Sequence, residues 1–287
     1  MPGEYDQHNI FDAISAYYSA GREIDRLFEG IGQLEYARTK ELILRNIGPP
    51  PAVIYDVGGG VGTYAVWLAA QGYRVVLSDI VEDNLRIARD KVVRSGDHRS
   101  IGIVSADACK LPNPENSADV VLLLGPLYHL VDRKARQRAL LEARRVLRAE
   151  GILFAAGISK YGSALYGLSS CSQGNCYLDD SEFLSMVRRE LSDGQHIPPK
   201  HLPHLFTRAF FHQPSDFRVE VEQAGMEVID HVAIEGPGWI VPDFDIIWHE
   251  DVRRDQILEM VRMVEHELEL MGMSPHFMVI ARKLHRK

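Results

Sequence analysis

Cysteine is scarce: Cys109, Cys171 and Cys176 are the three in 287 residues. An odd number at wide spacing makes no disulfide framework, which excludes a small secreted scaffold and suits a reducing compartment. Long apolar runs are also missing. No stretch approaches the roughly 18 apolar residues of a membrane-spanning helix, so no membrane partner is expected. The first ten residues are polar and acidic, unlike a secretory leader, and the expected location is the cytoplasm. Positive charge is in deficit, with 32 Lys and Arg against 40 Asp and Glu for a net charge of -8. Such a surface repels phosphate backbones and argues against a nucleic-acid partner. The basic clusters Arg133-Lys134-Arg136-Arg138 and Arg144-Arg145-Arg148 fall on one expected helix and read as its solvated face. Repeats and low-complexity tracts are absent.

What is present is an alternation. Residues 12–46 read as helix in two pieces, broken near Gly30-Ile31-Gly32 and ended by Pro49-Pro50-Pro51. Short apolar runs at 53–57, 74–79, 101–104, 118–124 and 151–156 read as buried strands, with helices expected over 64–71, 82–94 and 133–148. The alternation stops after Gly157. It resumes with a helix over 215–224, a strand over 226–234, a helix over 251–271 and a last strand over 277–281. Strands alternating with helices of these lengths imply an α/β fold with a doubly wound, mostly parallel sheet. Open sheets of this kind bind ligands at the carboxyl ends of their strands, where the segment after Gly157 begins.

Asp56-Val57-Gly58-Gly59-Gly60-Val61-Gly62 follows the first strand and opens a helix. A plain strand-to-helix turn needs one or two glycines; four of five here favour a nucleotide-type ligand brought close to the backbone. The dinucleotide pattern G-x-G-x-x-G would put a glycine at position 63, where this chain has Thr63, and this weakens the reading as an NAD-dependent oxidoreductase. Asp79 ends the second strand 21 residues after Gly58. Its carboxylate can accept from ribose hydroxyls, with Ile80 beside it, or cap the helix that follows. Asp107 and Ala108 follow the third strand, where a turn role is the alternative.

Asp56-x-Gly58-x-Gly60-x-Gly62 resembles motif I of the class I, Rossmann-like S-adenosylmethionine-dependent methyltransferases, and the resemblance extends from Asp56 to Ala156. It implies S-adenosylmethionine as cofactor and S-adenosylhomocysteine as product. It places the methionine part against Asp56, Gly58, Gly59, Gly60, Gly62, Leu124 and Gly125, the ribose at Asp79, and the adenine at Asp107 and Ala108. Leu124-Gly125-Pro126-Leu127-Tyr128-His129-Leu130 resembles the family's segment after the fourth strand, which puts Tyr128 and His129 near the methyl group. Tyr17-Tyr18, Arg22-Glu23 and Gly32-Gln33-Leu34-Glu35 are similar to the N-terminal lid of a bacterial small-molecule, type 11-like subgroup. Residues 206–212 and 235–239 are similar to its C-terminal half.

The expected organisation is a helical lid (1–48), a cofactor-binding core (49–158), an inserted substrate cap (159–213), and the rest of a seven-stranded core sheet (214–287) with a cap loop at 235–250. Methyl transfer asks the protein mainly to align the acceptor and exclude water. His129 is the expected base, because histidine titrates near neutrality, although a structural role competes equally. Tyr128 would orient the acceptor, and His212 is the third catalytic candidate. Trp239, Trp248 and His196 are candidates for the acceptor wall. Tyr18, Arg22 and Arg38 would close over the cofactor. His201-Leu202-Pro203-His204 and the upstream cysteines lack the paired ligands of a zinc site, and no metal is expected. The partner is then a small methyl acceptor, with oxygen, nitrogen or an acidic carbon as the target atom, and the chain a monomer or homodimer. A tRNA or protein methyltransferase, or a silent binding module of the same fold, are the remaining alternatives.

Overall fold

A computed structural model of the chain describes residues 24–96, 99–172, 176–202 and 204–284. In chain order it runs α1 (Gly32–Asn46), β1 (Val53–Val57), α2 (Thr63–Ala70), β2 (Arg74–Asp79), α3 (Glu82–Ser95), β3 (Ile101–Ser105), β4 (Ala118–Leu123), α4 (Pro126–His129), α5 (Arg133–Val146) and β5 (Leu147–Ile158). Then come α6 (Gly162–Ser169), α7 (Ser181–Asp193), β6 (Gln195–His196), β7 (Ala209–Phe210), α8 (Pro214–Gln223) and β8 (Glu227–Ala233). The chain closes with α9 (Phe244–Trp248), α10 (Asp251–Val264), α11 (Leu268–Met271) and β9 (His276–Arg282).

The chain divides into two compact units, each drawn from three stretches: 1–40, 157–216 and 232–277 form the first, and 41–156, 217–231 and 278–287 the second. The second is built on a seven-stranded sheet in the order β3-β2-β1-β4-β5-β9-β8. β1 runs parallel to β2, with Val53 beside Arg74 and Val57 beside Ser78, and parallel to β4 on its other side. β2 runs parallel to β3, and β4 to β5. β9 is antiparallel to β5, because Glu150 N–H bonds Lys283 O at one end while Ser159 N–H bonds Pro275 O at the other.

The expected mixed sheet is therefore present, for a simple reason. Ile54 to Val57 are all buried, as a strand covered on both faces requires. Leu85, Ala88 and Val92 give α3 one buried stripe, and Ala135, Ala139, Leu140, Ala143 and Val146 give α5 another. Asp132 caps α5 by accepting the Ala135 N–H.

In the first unit the stretch after Gly157, where the alternation stops, holds α6, α7 and the antiparallel pair β6–β7. Two expectations are corrected in this unit. The single helix expected over 251–271 is interrupted between Val264 and Leu268, where the Glu265 carbonyl takes the Ala233 N–H at 2.8 Å. Cys171 and Cys176 are joined by a disulfide, with their Cα atoms 4.3 Å apart, which corrects the expectation of free thiols and removes the basis for assigning a reducing compartment. Among the described residues no helix is long and apolar enough to cross a membrane.

Candidate active site

The glycine loop leaves β1 and enters α2 with almost no side chains of its own. Gly58 has a φ of +68°, and a Cβ there would lie 2.4 Å from Pro126 Cγ, so both backbone shape and space demand glycine. A Cβ on Gly59 would stand 2.4 Å from both Asp56 Oδ2 and Leu77 Cδ1. Gly60 is different: a Cβ there would meet nothing within 4 Å, so the loop has open space on that side.

Asp79 locks the loop's shape. Its Oδ2 accepts the Gly60 N–H at 2.9 Å and its Oδ1 accepts the Val81 N–H at 2.8 Å. The helix-capping role read from the sequence does not form: Val81 is the N-cap of α3, with no side-chain cap bond, and Asp79 braces the chain just before it. Oδ1 also takes the Asn84 Nδ2–H at 3.5 Å, so it is Oδ2 that keeps a lone pair for a ligand hydroxyl. Burial raises its pKa against the pull of these donors. Ile80, next in the chain, is 45% exposed although apolar.

Asp56 lies at the end of β1 and is almost fully buried, and its Oδ2 has no hydrogen-bond partner. Burial, with repulsion from Asp79, pushes its pKa up to about 7 against the opposing Ala65 N–H. Asp107 is exposed after β3. Its Oδ1 accepts the Cys109 N–H at 2.8 Å, so the turn role is real. Leu124 and Gly125 are partly buried after β4, and a Cβ on Gly125 would sit 3.3 Å from Gly58 O. The second unit thereby brings together Asp56, the glycine loop, Asp79 and Gly125.

Tyr128 and His129 occupy the single turn of α4, their ring centroids 4.9 Å apart, with Tyr128 buried. Burial drives the His129 pKa down to about 3. A ring with so low a pKa is a weak base, poorly matched to taking a proton near neutrality.

The first unit holds the remaining candidates. Arg38 is fully buried; its guanidinium pairs with Glu265 and its Nε donates to Ile234 O, which corrects its expected place over a cofactor, since these protein acceptors engage it. His196 is equally enclosed, with Nδ1 2.6 Å from Glu190 Oε1 and Nε2 3.0 Å from Phe206 O, so the wall role expected of it is taken by protein partners on both nitrogens. Trp248 stacks on Phe244 at 5.2 Å in a cluster with Leu34, and Trp239 Nε1–H donates to Met273 O at 2.7 Å. Both are 8% exposed or less and serve packing instead of an open wall. His212 is buried beside the end of β5, its N–H on Ile158 O and its carbonyl taking the Lys160 N–H. Tyr18 and Arg22 lie outside the described residues.

One cluster was not foreseen. Glu35, Glu235 and His276 bring their side-chain donor atoms within 4.8 Å of one another, and Arg26 pairs with Glu35. Their positions are too far apart in the chain for any spacing rule to join them; a histidine at the very start of the last strand was the available signal.

Residues 55–155 match the family model described as "Methyltransferase domain". A ubiquinone/menaquinone biosynthesis C-methyltransferase from Acidiphilium cryptum is 30% identical over 152 residues, 53% of this chain and 58% of that protein. The methyltransferase GfsG of Streptomyces halstedii is 32% identical over 135 residues, 47% of this chain and 48% of that one. A solved SAM-dependent methyltransferase from Methanosarcina mazei superposes with a TM-score of 0.58 at 18% identity, over 85% of this chain and 98% of that one. Over residues 55–155 the chain therefore carries a methyltransferase domain, for which S-adenosylmethionine is the cofactor.

The methyltransferase domain so matched begins one residue before Asp56, contains Asp79, Asp107 and His129, and ends within β5. The chain spans about half the length of the curated relatives it matches. The residues that follow β5, including α6, α7, Glu235 and His276, lie beyond the matched segment.

Proposed function

We propose that this chain transfers a methyl group from S-adenosylmethionine to a small-molecule acceptor. The observation that carries this is the bare loop from Gly58 to Gly62, closed by Asp79 and open at Gly60, within a segment that matches a methyltransferase domain. Asp79 and Ile80 would hold the ribose side of the cofactor, Asp107 and Ala108 the base, and the glycine loop with Asp56, Leu124 and Gly125 the methionine side. When bound, the cofactor supplies a methyl group already activated on a sulfonium. The chain's own residues then have to position the acceptor and exclude water. Tyr128 and the neutral His129 are assigned to hydrogen bonding near the acceptor, and His212 to shaping the end of β5. The Acidiphilium cryptum relative is named for C-methylation in quinone biosynthesis, so an acidic ring or enol carbon is the first acceptor class to assay.

Calorimetric titration with S-adenosylhomocysteine tests the reading. Saturable binding is expected, and Asp79→Ala should weaken it by roughly 10- to 150-fold, as for loss of a charged hydrogen bond of about 1.5–3 kcal/mol. No heat and no thermal shift with either S-adenosylmethionine or S-adenosylhomocysteine would end it.

A further inference from the structure

Glu235 follows β8 and is 1% exposed. Its Oε2 accepts the Ser274 hydroxyl and the His276 N–H, both at 2.9 Å, and its Oε1 lies 2.6 Å from His276 Nδ1. Ser274 Oγ in turn accepts the N–H groups of Glu235 and Gly236. The imidazole is therefore fixed in orientation from one side, as a carboxylate orients a working histidine through its far nitrogen. Glu35 on α1 adds a second carboxylate, 3.6 Å from the same Nδ1, and is itself held by Arg26. The guanidinium already supplies the positive charge that a metal ion would bring to these carboxylates.

The other edge of the ring is what needs explaining. His276 Nε2 has no hydrogen-bond partner among the described residues, and the side chain keeps 17% of its surface exposed. An orienting network this complete, serving a nitrogen that no described residue uses, is the arrangement of a ligand-facing group.

We infer that the Glu235–His276 pair is an anion-binding group, in which His276 Nε2–H donates to a carboxylate or phenolate oxygen of a small organic anion. Every group it uses lies in the first unit, so it does not depend on the methyltransferase reading. Burial pulls the His276 pKa down, and the carboxylates of Glu35 and Glu235 outweigh this, with Arg26 opposing, to set it at about 8. With Nδ1–H on Glu235, the second proton then sits on Nε2 at neutral pH and makes it a charged donor.

The test uses the full chain with 15N-labelled histidine and saturating S-adenosylhomocysteine. Benzoate and 4-nitrophenolate serve as carboxylate and phenolate probes, with benzamide and nitrobenzene as their neutral counterparts. At least one anion should shift the His276 Nε2 resonance saturably and raise its titration midpoint, while its neutral counterpart does neither. Which anion does so separates a carboxylate from a phenolate ligand. His276→Gln should lower affinity for that anion at least tenfold and leave S-adenosylhomocysteine affinity unchanged. If neither anion moves the wild-type His276 resonance, or if each binds His276→Gln equally well, the inference is overturned. Loss of S-adenosylhomocysteine binding in the wild-type chain would instead count against the methyltransferase reading, because the anion titration of His276 reads independently of it.

Discussion

Arg136 grips Glu220 through two hydrogen bonds of 2.8 Å, Nε to Oε2 and Nη2 to Oε1, with both side chains buried. Its Nη1 also donates to the carbonyls of Leu130 and Val131, so one guanidinium ties α5 to α8 and fixes the chain just after His129. Glu220→Ala would leave that guanidinium buried without its counter-charge. A loss of about 3–5 kcal/mol is expected, read from the urea midpoint and slope. A change below about 1 kcal/mol would mean that the guanidinium finds water when its partner is removed.

Two glycines of one loop should fail in different ways. Gly59→Ala forces a methyl group against the Asp56 carboxylate and Leu77, and should cost about 1–3 kcal/mol of stability. Gly60→Ala meets no atom, but its φ of +57° makes a side chain unfavourable by about 1–2 kcal/mol. It also fills the open side of the loop. Its predicted signature is a milder thermal shift than Gly59→Ala in the absence of ligand, together with at least a tenfold loss of S-adenosylhomocysteine affinity. Unchanged affinity would place the cofactor elsewhere.

Asp56 gives the chain a pH dependence of a particular sign. The folded chain holds this proton up to about pH 7, whereas an unfolded aspartate releases it near 3.8. The folded state therefore binds more protons between those values, and stability falls as pH rises through them. Asp56→Asn removes that slope. Above pH 7 the ligand-free variant should exceed the wild type by a few kcal/mol, on the scale of about 1.4 kcal/mol per pKa unit. Urea unfolding at pH 5 and pH 8 checks this; a difference that does not grow with pH would contradict it.

The bond between Cys171 and Cys176 closes a loop with a sequence separation of 5. A loop that short contributes about 2 kcal/mol by restricting the unfolded chain. Iodoacetamide applied to the denatured, unreduced protein should label Cys109 alone, and all three cysteines after reduction. Three labels without a reductant would show that the bond does not form.

The core was legible because its signals are local. A strand buried on both faces is written as a continuous apolar run, and the loop at Gly58 through Gly62 follows directly from a strand and into a helix. α7 was equally visible in principle: Asp180 caps its start by accepting the Glu182 and Phe183 N–H groups, Gly194 ends it in the left-handed region, and Phe183, Met186, Val187 and Glu190 share one buried face. The short spacing of Cys171 and Cys176 likewise permitted their bond. Burial carried what the sequence could not show. It lowers the basicity of His129, engages Arg38 and His196 with protein acceptors, and assembles Arg26, Glu35, Glu235 and His276 from three distant stretches. Which of two histidines titrates near neutrality depends on the carboxylates around it, and only the folded chain selects those.

The interleaving of the two units has a practical consequence for anyone who would re-engineer this chain. Neither can be excised with a single pair of cuts, since each is threaded through the other's stretches of sequence. Exchanging a terminal stretch alone therefore cannot replace either unit. The two internal excursions, 157–216 and 232–277, begin or end inside β5, β8 and β9, so any transplant has to place junctions within the sheet's own strands.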